Sequence, residues 1–324
     1  MSDDDNILTE TFRRVLGDVV TSERIRAFED SPALAPIWPE LAETGFLDAL
    51  VGEEYGGAGL SLAQVFPLVL ALGEHATPVP FAETMLARAW LAPHGISLPD
   101  DAAVVLAPRS AILPFAEVAT HALVADRDMI RVVEVTSGSN DVFRAGGALT
   151  LNPGRELGAF AGTPGDLLLA AAALTSGQMV GAMARMLDMT LNYAGERQQF
   201  GRSLGKFQAI QQQLAVMAEQ VISAQVAART ALRSTHFEPI RVAAAKCRAN
   251  EAARLVCNIA HAVHGAIGAT AEFDLQLFSR RVKQGQVAFG SERYWAVELG
   301  RARVTADCQT TADFLRLHLM DEDV

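Results

Sequence analysis

The sequence predicts a mainly α-helical protein in three parts. These are an N-terminal helical domain (residues 1–100), a short central β domain (101–160) and a C-terminal four-helix bundle (161–324). Residues 207–224 carry apolar side chains at three- and four-residue steps, which is typical of a bundle helix. Short valine-rich segments are confined to the middle of the chain, where glycine and proline separate them. The order of elements is therefore helices, strands, helices.

The N-terminal part begins with residues 7–29, whose apolar side chains recur at helical spacing. A proline-rich break covers residues 31–39 and overlaps the start of a helix that begins at Ile37 and that Gly45 closes. The glycines at 56, 57 and 59 predict a tight connection rather than a phosphate loop, because no strand precedes them. Ser61 is placed to cap the next helix. Further helical patterns cover residues 66–76 and 81–91, and the prolines of residues 93–99 end this part.

In the central part, the sequence pattern changes from helical to strand-forming. Residues 102–107, 121–125 and 129–135 are short, and are rich in valine or alternate in polarity, so they predict strands. The residues after 135 are interrupted by Gly138, Gly146, Gly147 and Pro153.

The C-terminal part contains three long helical patterns. Pro164 and Gly195 bound the first. The second begins near Phe207, and its apolar residues predict a core seam: Phe207, Ile210, Leu214, Met217, Val221 and Ala224. Pro239 starts the third, which runs to His264. Long helices with short connections predict a bundle.

The composition narrows the possible partners and the compartment. The formal net charge is −11 and the pI is about 5.1, which argues against nucleic acid and against an anionic membrane surface. The three cysteines form no C-x-x-C pair, as expected of reduced thiols in a cytoplasmic protein. The acidic N-terminus does not resemble a secretory signal, and the longest unbroken apolar runs fall short of a membrane span.

Residues 197–208 concentrate cations in this acidic chain. Arg197, Arg202 and Lys206 alternate with two glycines and with Phe200 and Phe207 in the sequence Arg-Gln-Gln-Phe-Gly-Arg-Ser-Leu-Gly-Lys-Phe-Gln. An arginine fork binds phosphate well, and an aromatic face suits a planar ring. The segment is therefore a candidate site for a phosphate joined to a ring system. The alternative is a basic helix-to-helix loop that only contacts solvent.

The motif Arg-Gln-Gln-Phe-Gly, followed by Phe-Gln-Ala-Ile-Gln at residues 207–211, resembles the signature of the acyl-CoA dehydrogenase family of flavoproteins. The resemblance implies an acyl-CoA dehydrogenase-like fold and an FAD cofactor. It also implies that Arg197, Phe200 and Gln208 contact the FAD pyrophosphate and adenine of a neighbouring subunit. At least a dimer is then required.

Residues 261–272 resemble a second FAD-contacting segment of that family. Gly265, Gly268 and Glu272 match its pattern, whereas Ala262 and Ala266 replace the expected Gln and second Gly. The resemblance implies that Gly265 and Gly268 contact the cofactor. His261 and His264 lie three residues apart, but no Cys or carboxylate accompanies them at metal spacing, so we expect ordinary histidines and no metal.

The family removes a substrate α proton with a carboxylate, and the chain departs from the family at both usual positions of that base. Gly290 replaces the expected Glu, and the alternative position corresponds to Ala171 and Ala172. Glu292 is the nearest substitute, although a glutamate at a helix N-terminus is also favoured by the helix dipole alone. No Thr-Glu-Pro-x-Ala-Gly-Ser or Trp-x-Thr-Asn motif is present to hold a flavin ring, and the β domain is shorter than the family's.

These features leave three hypotheses. The chain is a reduced subunit that shares one FAD with a fuller acyl-CoA dehydrogenase partner in a heterotetramer and helps to desaturate an acyl-CoA. Alternatively it is a self-sufficient homo-oligomeric, FAD-dependent oxidoreductase of lipid metabolism that uses Glu292 as the base. The third hypothesis is a catalytically inactive, flavin-free helical scaffold or assembly subunit. For the first two, an electron-transfer flavoprotein is the expected electron acceptor.

Overall fold

The computed structural model describes residues 3–31, 36–108, 112–140 and 146–320. Its N-terminal part contains five α-helices: α1 (Asp3–Val19), α2 (Ser22–Asp30), α3 (Ile37–Ala42), α4 (Leu62–Glu74) and α5 (Phe81–Leu91). The single helical pattern over residues 7–29 is divided into α1 and α2, because the Thr21 hydroxyl accepts a hydrogen bond from Arg24 N and starts a new helix. Residues 32–35, within the proline-rich break, lie outside the described residues.

The predicted cap of α4 is confirmed. The Ser61 hydroxyl accepts a hydrogen bond from Gln64 N, and the Gln64 side chain accepts one from Ser61 N, so both residues form a capping box. The glycine-rich segment before it is a tight connection. Gly56 and Gly59 have φ values of 89° and 62°, which side-chain-bearing residues rarely adopt.

The central part is a five-stranded sheet with the order β1-β3-β4-β5-β2. The strands are β1 (Val104–Ala107), β2 (Ile112–Pro114), β3 (His121–Asp126), β4 (Met129–Asn140) and β5 (Gly146–Ala161). β1 and β3 are parallel, and the other pairs are antiparallel. The sheet continues through four turn-forming residues, Gly138, Gly146, Gly147 and Pro153. They lie within β4 and β5, whose pairing contains register shifts that accommodate such residues.

The C-terminal part is the helical bundle. Its helices are α6 (Pro164–Glu196), α7 (Gln208–Ala231), α8 (Pro239–His264), α9 (Leu275–Val287), α10 (Glu292–Thr305) and α11 (Thr311–Leu319). Helices α6, α7 and α8 contact one another, and α9 packs on α6 and α8. Four of the six residues of the predicted seam face the core, since Leu214, Met217, Val221 and Ala224 are buried. Phe207 and Ile210 are half-buried, and Phe207 precedes the helix.

Helix α6 connects the bundle to the N-terminal part. A Cβ atom on Gly73 of α4 would overlap Gln178 O of α6, and one on Gly181 of α6 would overlap Leu70 O of α4. The two helices therefore cross at near-contact of their backbones. Of the described helices, α6 alone is long and apolar enough to cross a membrane, but 78% of its most apolar window is buried in this protein. It is the central core helix of the fold.

Candidate functional site

Residues 197–208 form a short hairpin at the end of α6. Strand β6 (Gln198–Gln199) pairs with β7 (Arg202–Ser203), and the two-residue turn between them is Phe200-Gly201. Both turn residues have positive φ, 52° for Phe200 and 79° for Gly201, as a tight primed hairpin turn requires. Such a φ is costly for phenylalanine, so the sequence places a large aromatic ring where asparagine or glycine would fit more easily.

The three residues that the resemblance assigns to the cofactor are exposed to solvent. Phe200 is 91% exposed, and Arg197 and Gln208 are also exposed. Within the part of the chain that the structure describes, the Arg197 guanidinium forms no ion pair. By contrast, the guanidinium of Arg202 lies 4.0 Å from the centre of the Phe207 ring, so this pair supports the base of the hairpin.

The hairpin is attached to the bundle by hydrogen bonds and one close backbone contact. Leu204 N donates to Arg197 O at 2.9 Å, and Gln211 Nε2 donates to Gly205 O at 2.8 Å. A Cβ atom on Gly205 would lie only 3.3 Å from Ala194 O, so the glycine allows the loop to lie directly on α6. These contacts connect the base of the hairpin to α6 and to the start of α7.

The second predicted segment lies at the same end of the bundle. Helix α8 ends at Gly265, whose φ is 67°, and a 3₁₀ turn follows over Gly265–Ala269. The Tyr193 ring, one turn before the hairpin, stacks on the His264 ring with a centroid distance of 4.5 Å. The structure thus brings residues 197–208 and 261–272 together, although more than fifty residues separate them in sequence.

The two histidines have structural partners. His264 Nδ1 lies 2.8 Å from Ala260 O, and His261 Nε2 lies 3.0 Å from Ser279 Oγ. Burial lowers the pKa of both rings. Neither histidine belongs to a group of three or more metal-ligating side chains among the described residues.

The loop between α9 and α10 contains the position where the resemblance expects a base. Gly290 has a φ of 101°, and a Cβ atom there would overlap Trp295 Nε1. A glutamate therefore does not fit this backbone. Glu292 is exposed in the first turn of α10, and Cys247 Sγ lies 3.9 Å from its carbonyl oxygen. Ala171 and Ala172 are fully buried in α6.

A buried lysine holds this loop. Lys246 Nζ donates to Asn250 Oδ1 at 2.8 Å, to Gly285 O at 2.7 Å and to Gly290 O at 3.3 Å. Burial lowers the pKa of Lys246 to about 7. The sequence pattern did not single out Lys246 as a functional or core residue, although it shares one face of α8 with the buried Val242 and Ala249. A lysine on the apolar face of a helix is the signal that would have identified it.

A cavity of about 640 Å³ opens at the opposite end of α6. Its walls come from α4, α5, β4, β5, the start of α6 and the α7–α8 connection. Trp90, Phe160 and Phe237 are its aromatic residues, and His94 and His236 are the histidines that border it. The sequence did not reveal this cavity, because its residues come from six separate stretches of the chain.

Comparisons with known proteins agree with the fold. Residues 2–95 match the model of the acyl-CoA dehydrogenase N-terminal domain, and residues 167–302 match that of the C-terminal domain. The chain is 30% identical over 305 residues to acyl-CoA dehydrogenase IpdE2 of Mycolicibacterium smegmatis, covering 90% of this chain and 96% of that protein. It is 31% identical over 264 residues to IpdE2 of Mycobacterium tuberculosis, covering 76% of this chain and 79% of that protein.

A solved structure with a similar fold is the ChsE4-ChsE5 complex from Mycobacterium tuberculosis. The TM-score is 0.78 at 20% identity, and the match covers 95% of this chain and 99% of the other. At this identity the likeness shows the fold alone.

Proposed function

The chain belongs to the acyl-CoA dehydrogenase family, and from this premise we propose that it is a reduced subunit of a heteromeric flavoenzyme. In this proposal it shares an FAD site with a fuller partner chain, and the assembly desaturates an acyl-CoA thioester. The observation that carries the proposal is the Phe200 turn. The chain keeps an exposed aromatic residue with an unfavourable backbone φ, three residues after an exposed arginine, as is expected where another molecule is contacted.

The hairpin residues fit one end of FAD. Arg197 is available for a pyrophosphate, Phe200 offers a free ring face for adenine, and Gln208 lies at the start of α7. Gly265, in the neighbouring segment, is exposed and has open space where a Cβ atom would lie, so a cofactor can approach the backbone there. Gly268 is buried against His264 and Leu275 of this chain, so its predicted contact with the cofactor does not agree with the structure. FAD, when bound, supplies the acceptor for the substrate's β hydride. This chain's contribution is to bind and orient the nucleotide half of the cofactor.

Gly290 excludes a catalytic carboxylate from its position, and this is the argument for a partner chain that supplies one. Because a Cβ atom at residue 290 would overlap Trp295, this backbone does not accommodate a glutamate at the position where the resemblance expects the base. Ala171 and Ala172 offer no carboxylate either. We therefore propose that the partner supplies the base and the groups that hold the flavin ring. Glu292 remains this chain's own candidate, and it is the residue on which a self-sufficient homo-oligomer would depend.

The remaining assignments follow from the same proposal. An electron-transfer flavoprotein is proposed as the electron acceptor. The cytoplasm is the proposed compartment, and the acidic charge of the chain disfavours nucleic acid and anionic lipid as partners.

The test is to purify the chain with an affinity tag from its native host, together with whatever assembles with it. We expect a yellow complex containing a second, longer acyl-CoA dehydrogenase chain, and bleaching of the flavin on addition of acyl-CoA. Arg197→Ala is expected to keep the partner but to lose FAD absorbance. A yellow homo-oligomer that bleaches with acyl-CoA, and stops doing so on Glu292→Gln, would replace this proposal with the self-sufficient enzyme. A colourless assembly would leave the flavin-free scaffold.

A further inference from the structure

Three aromatic rings meet between the two segments that the proposed function assigns to the nucleotide. The Tyr193 ring of α6 stacks on the His264 ring of α8 at a centroid distance of 4.5 Å and an interplanar angle of 27°. Phe273, in the connection before α9, lies 5.0 Å from the His264 ring and meets the Tyr193 ring edge to face at 6.2 Å. We call these three residues the ring cluster.

The backbone joins the ring cluster to both segments. Arg197 N donates a hydrogen bond to Tyr193 O at 2.8 Å, so Tyr193 belongs to the last helical turn before the hairpin. His264 directly precedes Gly265, where the backbone is open to a cofactor. A change at either ring is therefore transmitted to the residue next to it that the nucleotide is proposed to contact.

Stacking, rather than a hydrogen bond, holds Tyr193 against His264. The His264 side chain is 3% exposed, and Tyr193 and Phe273 are half-buried. The Tyr193 hydroxyl reaches His264 O only at 3.4 Å, which is long for a hydroxyl donor. An aromatic pair contributes about a two- to twelvefold factor to an equilibrium constant beyond the area that it buries.

A small apolar core adds to this connection. Its buried members are Ala194, Leu214 and Val263, and it is separate from the main core. Leu204 of the hairpin and the Tyr193 ring both pack against it. The hairpin and the end of α8 thus share one set of packing contacts.

We propose that Tyr193 and His264 are positioning residues that fix the hairpin and the Gly265 turn relative to each other. This inference rests on the proposed function, because it takes both segments to contact one nucleotide. A ligand that touches both segments binds more tightly when their relative placement is already fixed, since less conformational freedom is lost on binding. Loss of either ring therefore weakens nucleotide binding, although neither ring touches the nucleotide.

The first experiment is residue-resolved amide hydrogen exchange of the full chain without flavin or partner. The reporters are two hydrogen-bonded amides, Leu204 N in the hairpin and Thr270 N after the Gly265 turn. Tyr193→Leu should speed exchange at Thr270, and His264→Leu should speed exchange at Leu204, each at least about twofold relative to the amides of β3 and β4. Tyr193→Phe keeps the ring and should exchange as the wild type does. Faster exchange only beside the altered residue, or equally throughout the protein, would overturn the coupling.

The second experiment is FAD titration of the assembled complex. His264→Leu should raise the Kd about two- to twelvefold, and His264→Phe, which keeps a ring, should restore it to within about twofold of the wild type. The matched control is His318→Leu. His318 stacks on Phe314 at 4.6 Å, and Arg241 Nε donates to His318 O near the start of α8, about 35 Å along that helix from His264. This control should leave the Kd unchanged. A wild-type Kd in His264→Leu, or no recovery in His264→Phe, would overturn the role of the ring.

The two experiments separate this inference from the proposed function. A native complex without FAD would refute the proposed function, whereas the exchange measurements on the chain alone need no flavin. Absence of the cross-effects on Leu204 and Thr270 would overturn the coupling while leaving the shared FAD site in place.

Discussion

Replacing Phe200 distinguishes the energetic cost of the hairpin turn from the proposed role of the turn in binding FAD. Phe200 has a φ of 52° and is 91% exposed, and its ring meets the Phe207 ring edge to face at a centroid distance of 6.3 Å, so it contributes little packing within the chain. An L-residue pays about 1–2 kcal/mol in the left-handed region, and asparagine pays less because its short side chain bonds locally. Phe200→Asn should therefore raise the unfolding free energy of the isolated chain by about 0.5–1 kcal/mol.

The same substitution should impair cofactor binding. Stacking of a nucleic acid base on an aromatic side chain is worth about 1–3 kcal/mol, and its loss corresponds to a Kd that is roughly five- to 150-fold higher. Phe200→Asn should then stabilise the chain and weaken FAD binding at once. Few mutations of a purely structural residue would produce that combination.

The assay pairs urea unfolding of the isolated chain with FAD titration of the assembled complex, followed by flavin fluorescence. Tyr55→Asn is the matched control, since Tyr55 is another exposed aromatic residue and lies in the N-terminal part. It should leave FAD affinity unchanged. Wild-type FAD affinity in Phe200→Asn would refute the nucleotide contact, and a loss of stability would refute the strain argument.

Three further predictions concern the interior. Gly290→Ala should lower the unfolding free energy by more than about 2 kcal/mol, because it adds an overlap with Trp295 to an unfavourable φ. The control is Gly95→Ala, where φ is 64° and the surrounding space is open, so the loss should be only about 1 kcal/mol. Urea unfolding measures both. Glu83 is 3% exposed, and burial raises its pKa to about 7. The folded chain therefore holds a proton that the unfolded chain releases near pH 4.5, so stability should fall as pH rises from about 5 to 7, by up to about 3 kcal/mol. Glu83→Gln should remove that fall in unfolding free energy, and an unchanged slope would contradict it. For Lys246, whose folded pKa of about 7 lies below the unfolded value, stability should rise with pH from about 7 to 10. Lys246→Met should lack this rise and should also be less stable, since Gly285 O loses its donor.

The features that depend on local chemistry were predictable from sequence. The Ser61 cap, the seam of α7 and the first three strand segments each follow from neighbouring residues, and the structure confirms them. The FAD-contacting assignments of Arg197 and Phe200 remain predictions; Arg197 is exposed at the end of α6 and Phe200 is exposed in the hairpin turn, as a contact with a neighbour requires.

The features that depend on distant segments were not predictable. Gly138 and Pro153 are turn-forming residues in isolation, yet the pairing of β4 with β5 incorporates both through register shifts. Trp90, Phe160 and Phe237 meet only because α5, β5 and the α7–α8 connection converge at the start of α6. Tertiary contacts outweigh local preference in both cases.

The central claim is that this chain holds only part of an FAD site. The most direct measurement is the visible spectrum of the purified chain, recorded alone, with added FAD, and again in complex with its native partner. The account predicts no bound flavin in the first two samples after desalting and one FAD for each pair of unlike chains in the third. A stable yellow protein carrying one FAD per copy of this chain alone would contradict it.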